Sequence, residues 1–177
     1  MFEPRKARLR DGREVLLRRA MPDDAEKLIE SVNSVGAEGR YILTERLPYT
    51  VEEERKIIAS WDGVNTIMIV ADDGEKIVGG SGWVRGKYPK TRHVMDIGIH
   101  IVDGWRGVGL GEAMMRAGME WARSLGGVRK LFLEVFSTNE RALALYRKLG
   151  FVEEGRKKGH FVIDGDEVDD VLMAMWS

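Results

Sequence analysis

An alternating run, Val94-Met95-Asp96-Ile97-Gly98-Ile99-His100-Ile101, is followed closely by the turn Arg106-Gly107-Val108-Gly109-Leu110-Gly111. Period-two alternation marks a strand with one buried face. Beyond the turn, Leu110, Ala113, Met114, Ala117, Trp121 and Leu125 recur at helical spacing until Gly126-Gly127 stops them. Strand, glycine-rich turn and helix in that order restrict the chain to a sheet with a helix packed on it. Glycines leave backbone N–H groups uncovered, and the start of a helix adds partial positive charge. The turn is therefore suited to an anion such as phosphate or pyrophosphate.

The segments around the turn have their own periods. Arg13 to Arg19 reads as a first strand after an Asp11-Gly12 turn. Met21-Pro22-Asp23-Asp24 opens a helix carried by Ala25, Leu28, Ile29, Val32 and Val35, with Gly36 and Gly39 breaking it. The segment from Arg40 to Thr50 is irregular, and Thr50 with Glu53 forms a capping box for a second helix, Val51 to Trp61. Thr66 to Ala71 and Lys76 to Val84 read as a hairpin about Asp72-Asp73-Gly74-Glu75; Gly79, Gly80 and Gly82 weaken its second arm. After the long helix come a strand from Lys130 to Phe136 and a helix from Asn139 to Leu149. Ser137 with Glu140 matches a second capping box. Two final strands, Phe151 to Ile163 and Val168 to Met175, flank Asp164-Gly165. The expected fold is α/β (α+β): one mixed sheet of about seven strands with four helices, residues 1–177 forming a single domain.

The totals narrow the function. A formal net charge of -1 makes nucleic acid a poor default partner. The absence of cysteine excludes disulfides, thiolate metal sites and a cysteine nucleophile. The three histidines are scattered and form no metal-ligand cluster, so no metal is expected. The N-terminus lacks a signal-peptide apolar core, and no apolar run approaches the roughly 20 residues of a membrane span. A cytoplasmic globular protein is the expectation. A dinucleotide fold of the Rossmann type is disfavoured. The turn spaces its glycines Gly-x-Gly-x-Gly, Glu112 stands where a third fingerprint glycine belongs, and the turn lies past mid-chain without a leading βα repeat.

Two stretches together resemble the GCN5-related N-acetyltransferase (GNAT) superfamily. Arg106-x-x-Gly109-x-Gly111 is similar to its acetyl-CoA pyrophosphate motif, and Asn139-x-x-Ala142-x-x-Leu145-Tyr146-x-x-x-Gly150-Phe151 to its second signature. The order of elements agrees, so the resemblance covers nearly the whole chain. It implies a GNAT-type domain with a mostly antiparallel twisted sheet, acetyl-CoA as cosubstrate and an amine as acceptor. Dimerisation is common in that superfamily, and the terminal strands are edges through which two copies would pair.

Moving an acetyl group from a thioester to an amine needs a held donor, a base, a stabilised oxyanion and an acid for the departing thiolate. An alkylamine has a pKa of around 10 and is mostly protonated near neutrality, so a base is useful. Backbone groups from Arg106 through Gly107, Val108, Gly109 and Leu110 to Gly111 would hold the donor. The resemblance implies that Ile99-His100-Ile101 splays from its neighbour to pair with the pantetheine arm, with the Ile101 N–H facing the thioester carbonyl. It also brings Asn139 to the cofactor; the residue would equally serve as a helix cap. Tyr146 is the expected acid, against a reading as a packed helix tyrosine. Glu134 interrupts the apolar strand Leu131-Phe132-Leu133-Glu134-Val135 and is the expected base, against a solvated strand glutamate. Leu133-Glu134-Val135 with Asn139 and Tyr146 resembles the ribosomal-protein alanine N-acetyltransferases, apart from Phe136 where those carry a basic residue. Asp96 competes as base; His93 and His100 are weaker choices. With no cysteine, direct attack in a ternary complex is expected.

The acceptor should lie over the opposite end of the split strands, walled by residues 36–50 and 85–92. Tyr41, Glu45 and Trp83 would suit an amine or cation there, although ordinary surface packing also accounts for each. Three readings follow: an N-acetyltransferase for a small amine or amino acid-like molecule, an enzyme for protein N-termini or lysines, and a non-catalytic acyl-CoA sensor.

Overall fold

The computed structural model describes residues 2–176. Its eight strands are β1 (Arg5–Arg8), β2 (Glu14–Arg19), β3 (Thr66–Asp72), β4 (Ile77–Arg85), β5 (Val94–Ile101), β6 (Lys130–Phe136), β7 (Val152–Ile163) and β8 (Asp166–Trp176). They form one sheet in the order β1-β2-β3-β4-β5-β6-β8-β7, antiparallel throughout except for the parallel pair β5–β6. The helices are α1 (Ala25–Gly36), α2 (Val51–Ser60), α3 (Leu110–Ser124) and α4 (Glu140–Lys148), and Pro22–Asp24 is a 3-10 turn leading into α1. The sheet has eight strands rather than about seven because β1 pairs on the edge of β2. Its Arg-Lys-Ala-Arg sequence has no apolar alternation by which to read it.

Alternate residues of each strand serve opposite layers. Ile67, Ile69 and Ala71 of β3 join Met95 and Ile97 of β5, Leu131 and Leu133 of β6, and Leu110, Met114 and Trp121 of α3 in the larger core. Val70 of β3 packs instead with Ala25 and Leu28 of α1 and Ile58 of α2. Helices α3 and α4 therefore cover one face, and α1 and α2 cover part of the other. Beyond α1 and α2, the face carrying Asp96 and Glu134 is left open.

Thr50 and Glu53 cap α2 reciprocally: Glu53 N–H donates to Thr50 Oγ1 at 3.3 Å, and Thr50 N–H donates to Glu53 Oε2 at 2.8 Å. At α4 the cap is Asn139, whose Oδ1 accepts from Ala142 N–H at 3.2 Å. Ser137, expected to cap this helix, accepts from Asp169 N–H on β8 instead. That bond ties the end of β6 to β8, and the chain needs two more residues before it can turn into the helix.

The feature that positions the site is where β5 and β6 part. They pair only at Val94↔Lys130, Met95↔Leu131 and Asp96↔Phe132. Ile97–Ile101 and Leu133–Phe136 then run without each other, β5 held by β4 and β6 held by β8. Among the described residues, no helix is long and apolar enough to cross a membrane.

Candidate active site

A cleft of about 760 Å³ fills the divergence of β5 and β6. Gly86 N–H donates to the Val94 carbonyl and Val102 N–H to the Val78 carbonyl. Even-numbered β5 residues thus bond β4, and the amides of Ile97, Ile99 and Ile101 point the other way, into the gap. Of the segment expected to pair with the pantetheine arm, Ile99 and Ile101 turn their amides to the gap and His100 does not. Its backbone serves β4, while its imidazole packs on Gly80 and hydrogen-bonds Ser31 Oγ of α1 at 2.9 Å. His100 still lines the cleft, and burial lowers its pKa to about 4, so its imidazole is neutral near neutrality.

The glycine turn closes one end of the cleft. Gly107 and Gly109 have φ of 77° and 96°, a region open to glycine and strained for other residues. Gly109 is the N-cap of α3 and contributes no side chain. The N–H groups of residues 107–111 make no hydrogen bond among the described residues. A run of amides at the start of a 15-residue helix fits a pyrophosphate. The Val108 carbonyl accepts from Arg10 N–H at 2.9 Å, and the Leu110 side chain is fully buried in the core, so these two offer only backbone N–H groups. Glu112, in the first turn of α3, would repel an anion. Lys148 and Arg116 bind its carboxylate and lower its pKa to about 2, holding it ionised within a neutralising cluster.

On the far wall stands Tyr146 of α4, 5% exposed, lining the cleft and making no side-chain hydrogen bond among the described residues. Burial raises its pKa, so the hydroxyl keeps its proton. Asn139 lines the same cleft while capping α4.

Asp96 and Glu134 share the open face across the split. Burial raises the pKa of Asp96, and the nearby Glu134 charge adds to it. Glu134 is half-exposed and accepts from Lys157 Nζ at 2.7 Å; the same ammonium bonds Asp170 at 2.8 Å. Of the acceptor-side expectations, Tyr41 lines the cleft. Glu45 is exposed and lies outside the lining. Trp83 is fully buried on the opposite face, its ring against Gly118 of α3 and its indole N–H donating to Ser81 Oγ at 3.1 Å. One residue further, Val84 pairs with Asp96 and lines the cleft, so strand parity alone removes Trp83 from it. His93 is not part of the cleft lining. Among the described residues, no group of three or more His, Asp or Glu side chains could hold a metal ion.

The model of the "Acetyltransferase (GNAT) family" matches residues 37–151, from the irregular loop through the split strands and the glycine turn to Phe151. The chain belongs to that family. Its chain trace is similar to an acetyltransferase of the GNAT family from Streptococcus pneumoniae, with a TM-score of 0.87, 30% identity, and coverage of 92% of this chain and 99% of that one. It is 35% identical over 86 residues to the L-amino acid N-acetyltransferase AaaT of Escherichia coli, covering 49% of this chain and 53% of that protein. It is 35% identical over 97 residues to the N-alpha-acetyltransferase RimI of Mycobacterium tuberculosis, covering 54% and 58%. The matches therefore span little more than half the length of these two curated relatives.

The GNAT cleft also holds residues that the sequence did not single out. Asp170 is 1% exposed and lines the cleft behind Lys157. Its signal was a pair of acids, Asp169-Asp170, within an apolar strand. Arg10, Arg141 and Lys148 also line the cleft; Arg10 bonds the Val108 carbonyl and Lys148 bonds Glu112, so these two stand beside the glycine turn, where cations suit phosphates.

Proposed function

We propose that this GNAT protein transfers the acetyl group of acetyl-CoA to the primary amine of a small, amino acid-like acceptor by direct attack in a ternary complex. The observation that carries the reading is the split strand pair. It has unpaired amides along one edge, a protonated tyrosine on one wall and two carboxylates on the open face. Backbone N–H groups of residues 107–111 would hold the pyrophosphate, with Arg10 and Lys148 near it, and the β5 edge would hold the pantetheine arm. Asp96 would receive the acceptor as an ammonium ion. Glu134 would take its proton, directly or through a water. The Ile101 N–H would hold the thioester oxygen as it becomes anionic, and Tyr146 would donate to the departing thiolate. That arrangement makes catalysis the better reading than a sensor that only binds acyl-CoA.

The amino acid-like acceptor is supported by charge. A second cavity, about 490 Å³, meets the cleft at Asp96 and is lined by Arg85 at the end of β4 and by Lys87, Tyr88 and Thr91 of the β4–β5 loop. The loop also carries Lys90 and Arg92, and Lys87, Lys90 and Arg92 have no carboxylate partner among the described residues. An ammonium at Asp96 with a carboxylate toward these cations is the pattern of a free amino acid, and the similarity to AaaT points the same way. The test is a panel of L-amino acids, their amides, alkylamines and short peptides with acetyl-CoA, read by free-thiol release. Amino acids should react with kcat/KM about tenfold above their amides, since a charge-assisted hydrogen bond contributes about 1.5–3 kcal/mol. Turnover of peptides alone would transfer the reading to protein N-termini, and thiol release independent of any amine would remove the acetyltransferase reading.

A further inference from the structure

We infer that Arg106 is a latch that fastens the acceptor-side loop to the donor motif, so that holding the donor also orders the wall of the acceptor site. The inference rests on the donor reading of the glycine turn. Residues 37–50 contain no helix or strand, yet Tyr41, Ile42 and Leu43 line the cleft. The far arm of this loop is pinned by Leu47 N–H donating to Asn33 Oδ1 at 2.7 Å. It also packs on the end of α1, where a Cβ at Gly36 would lie 2.3 Å from the Thr44 and Glu45 carbonyl oxygens. Among the described residues, the near arm has two polar side-chain fastenings. One is the ion pair between Arg40 and Asp164, both about two-thirds exposed (67% and 69%) and of little consequence in water. The other is Arg106.

Arg106 uses its whole guanidinium group. Nη1 and Nη2 donate to the two Glu38 carboxylate oxygens at 2.7 and 2.5 Å. Nε donates to the Ile101 carbonyl at 2.8 Å, the last residue of the splayed β5 edge. The Tyr41 ring lies on the guanidinium, 4.2 Å from its centroid. The side chain is 11% exposed. A planar fork can satisfy a carboxylate, a carbonyl and a ring together, and an ammonium cannot. Arg106 is also the first residue of the turn whose amides are left without hydrogen bonds among the described residues and whose glycines line the cleft. A ligand on residues 107–111 restrains its backbone, and thereby the position from which its side chain holds Glu38 and Tyr41. Coupling of this kind is reciprocal: if the donor tightens the loop by some factor, the tightened loop favours the donor by the same factor.

Trypsin reads the loop directly, because Arg40 and Arg46 lie in it. Saturating acetyl-CoA should slow cleavage at these sites in the wild-type protein by about tenfold, within the range of measured site couplings. Glu38→Gln keeps the side-chain size and removes the charge. It should be cleaved faster without ligand, lose most of the protection, and bind acetyl-CoA more weakly by a comparable factor in calorimetry. Its far-ultraviolet circular dichroism should match the wild type, and Asp164→Asn, which breaks only the exposed pair, should change none of these readouts. If Glu38→Gln retained full protection and wild-type acetyl-CoA affinity, Arg106 would be a structural ion pair and no latch. If acetyl-CoA bound the wild type without protecting the loop, the latch would fail while the donor reading stood. If acetyl-CoA did not bind the wild type at all, the donor reading would fail and take the latch with it.

Discussion

Tyr146→Phe lowers kcat by about two orders of magnitude, the usual contribution of a general acid, and leaves the acetyl-CoA Kd within about threefold. The substitution isolates the hydroxyl. The Tyr146 ring packs 6.0 Å from Phe151 between centroids and is surrounded by the larger core, and phenylalanine keeps both contacts. The hydroxyl has no hydrogen-bond partner among the described residues, so its removal breaks no structural bond. Burial that raises the tyrosine pKa also disfavours a bare thiolate in the same cleft, so the leaving sulfur becomes a stronger proton acceptor there. Steady-state thiol release with any accepted amine, together with calorimetry, measures both quantities. Unchanged kcat would return Tyr146 to the role of a packed core residue.

The two carboxylates should separate in kinetics. Glu134→Gln should lower kcat by about 10²-fold with a small change in acceptor KM, as expected for loss of a general base. Asp96→Asn should raise acceptor KM by about tenfold and spare kcat, since a charge that meets the ammonium without taking its proton contributes mainly to binding. The pH profile gives an independent sign. Asp96 has a raised pKa, first from burial and then from the Glu134 charge. Removing that charge lowers the Asp96 pKa. Were Asp96 the base, Glu134→Gln would keep most of kcat and move its acidic limb to lower pH. Loss of kcat without such a shift assigns the base to Glu134.

Much of this arrangement was legible because it depends on local chemistry. The glycine turn needs positive φ and a following helix, and both are written in residues 106–125. Asp96 and Glu134 were each legible as acids within strands otherwise rich in apolar residues, while their shared face follows from the parallel register of β5 on β6. Trp83 misled because Gly79, Gly80 and Gly82 blur the alternation of β4, and a shift of one residue moves a side chain through the sheet. The partner of Glu134 was not legible for a different reason. Lys157 reaches it only through the register of β8 on β6 and of β7 on β8, and two irregularities, at Glu153/Gly155 and Lys157/Phe161, displace the second. The Arg106–Glu38 pair likewise joins residues 68 apart through a loop without periodicity. Contacts set by non-local register leave no signature in a window of sequence.

The most direct test of the account is an amide-resolved titration with acetyl-CoA, following backbone ¹⁵N–¹H signals in solution. If the split strands and the glycine turn bind the donor, the largest shifts should fall on Ile97, Ile99, Ile101 and residues 107–111, with β1 and the outer edge of β7 unmoved. Saturable shifts confined to another surface, or none at millimolar acetyl-CoA, would contradict it.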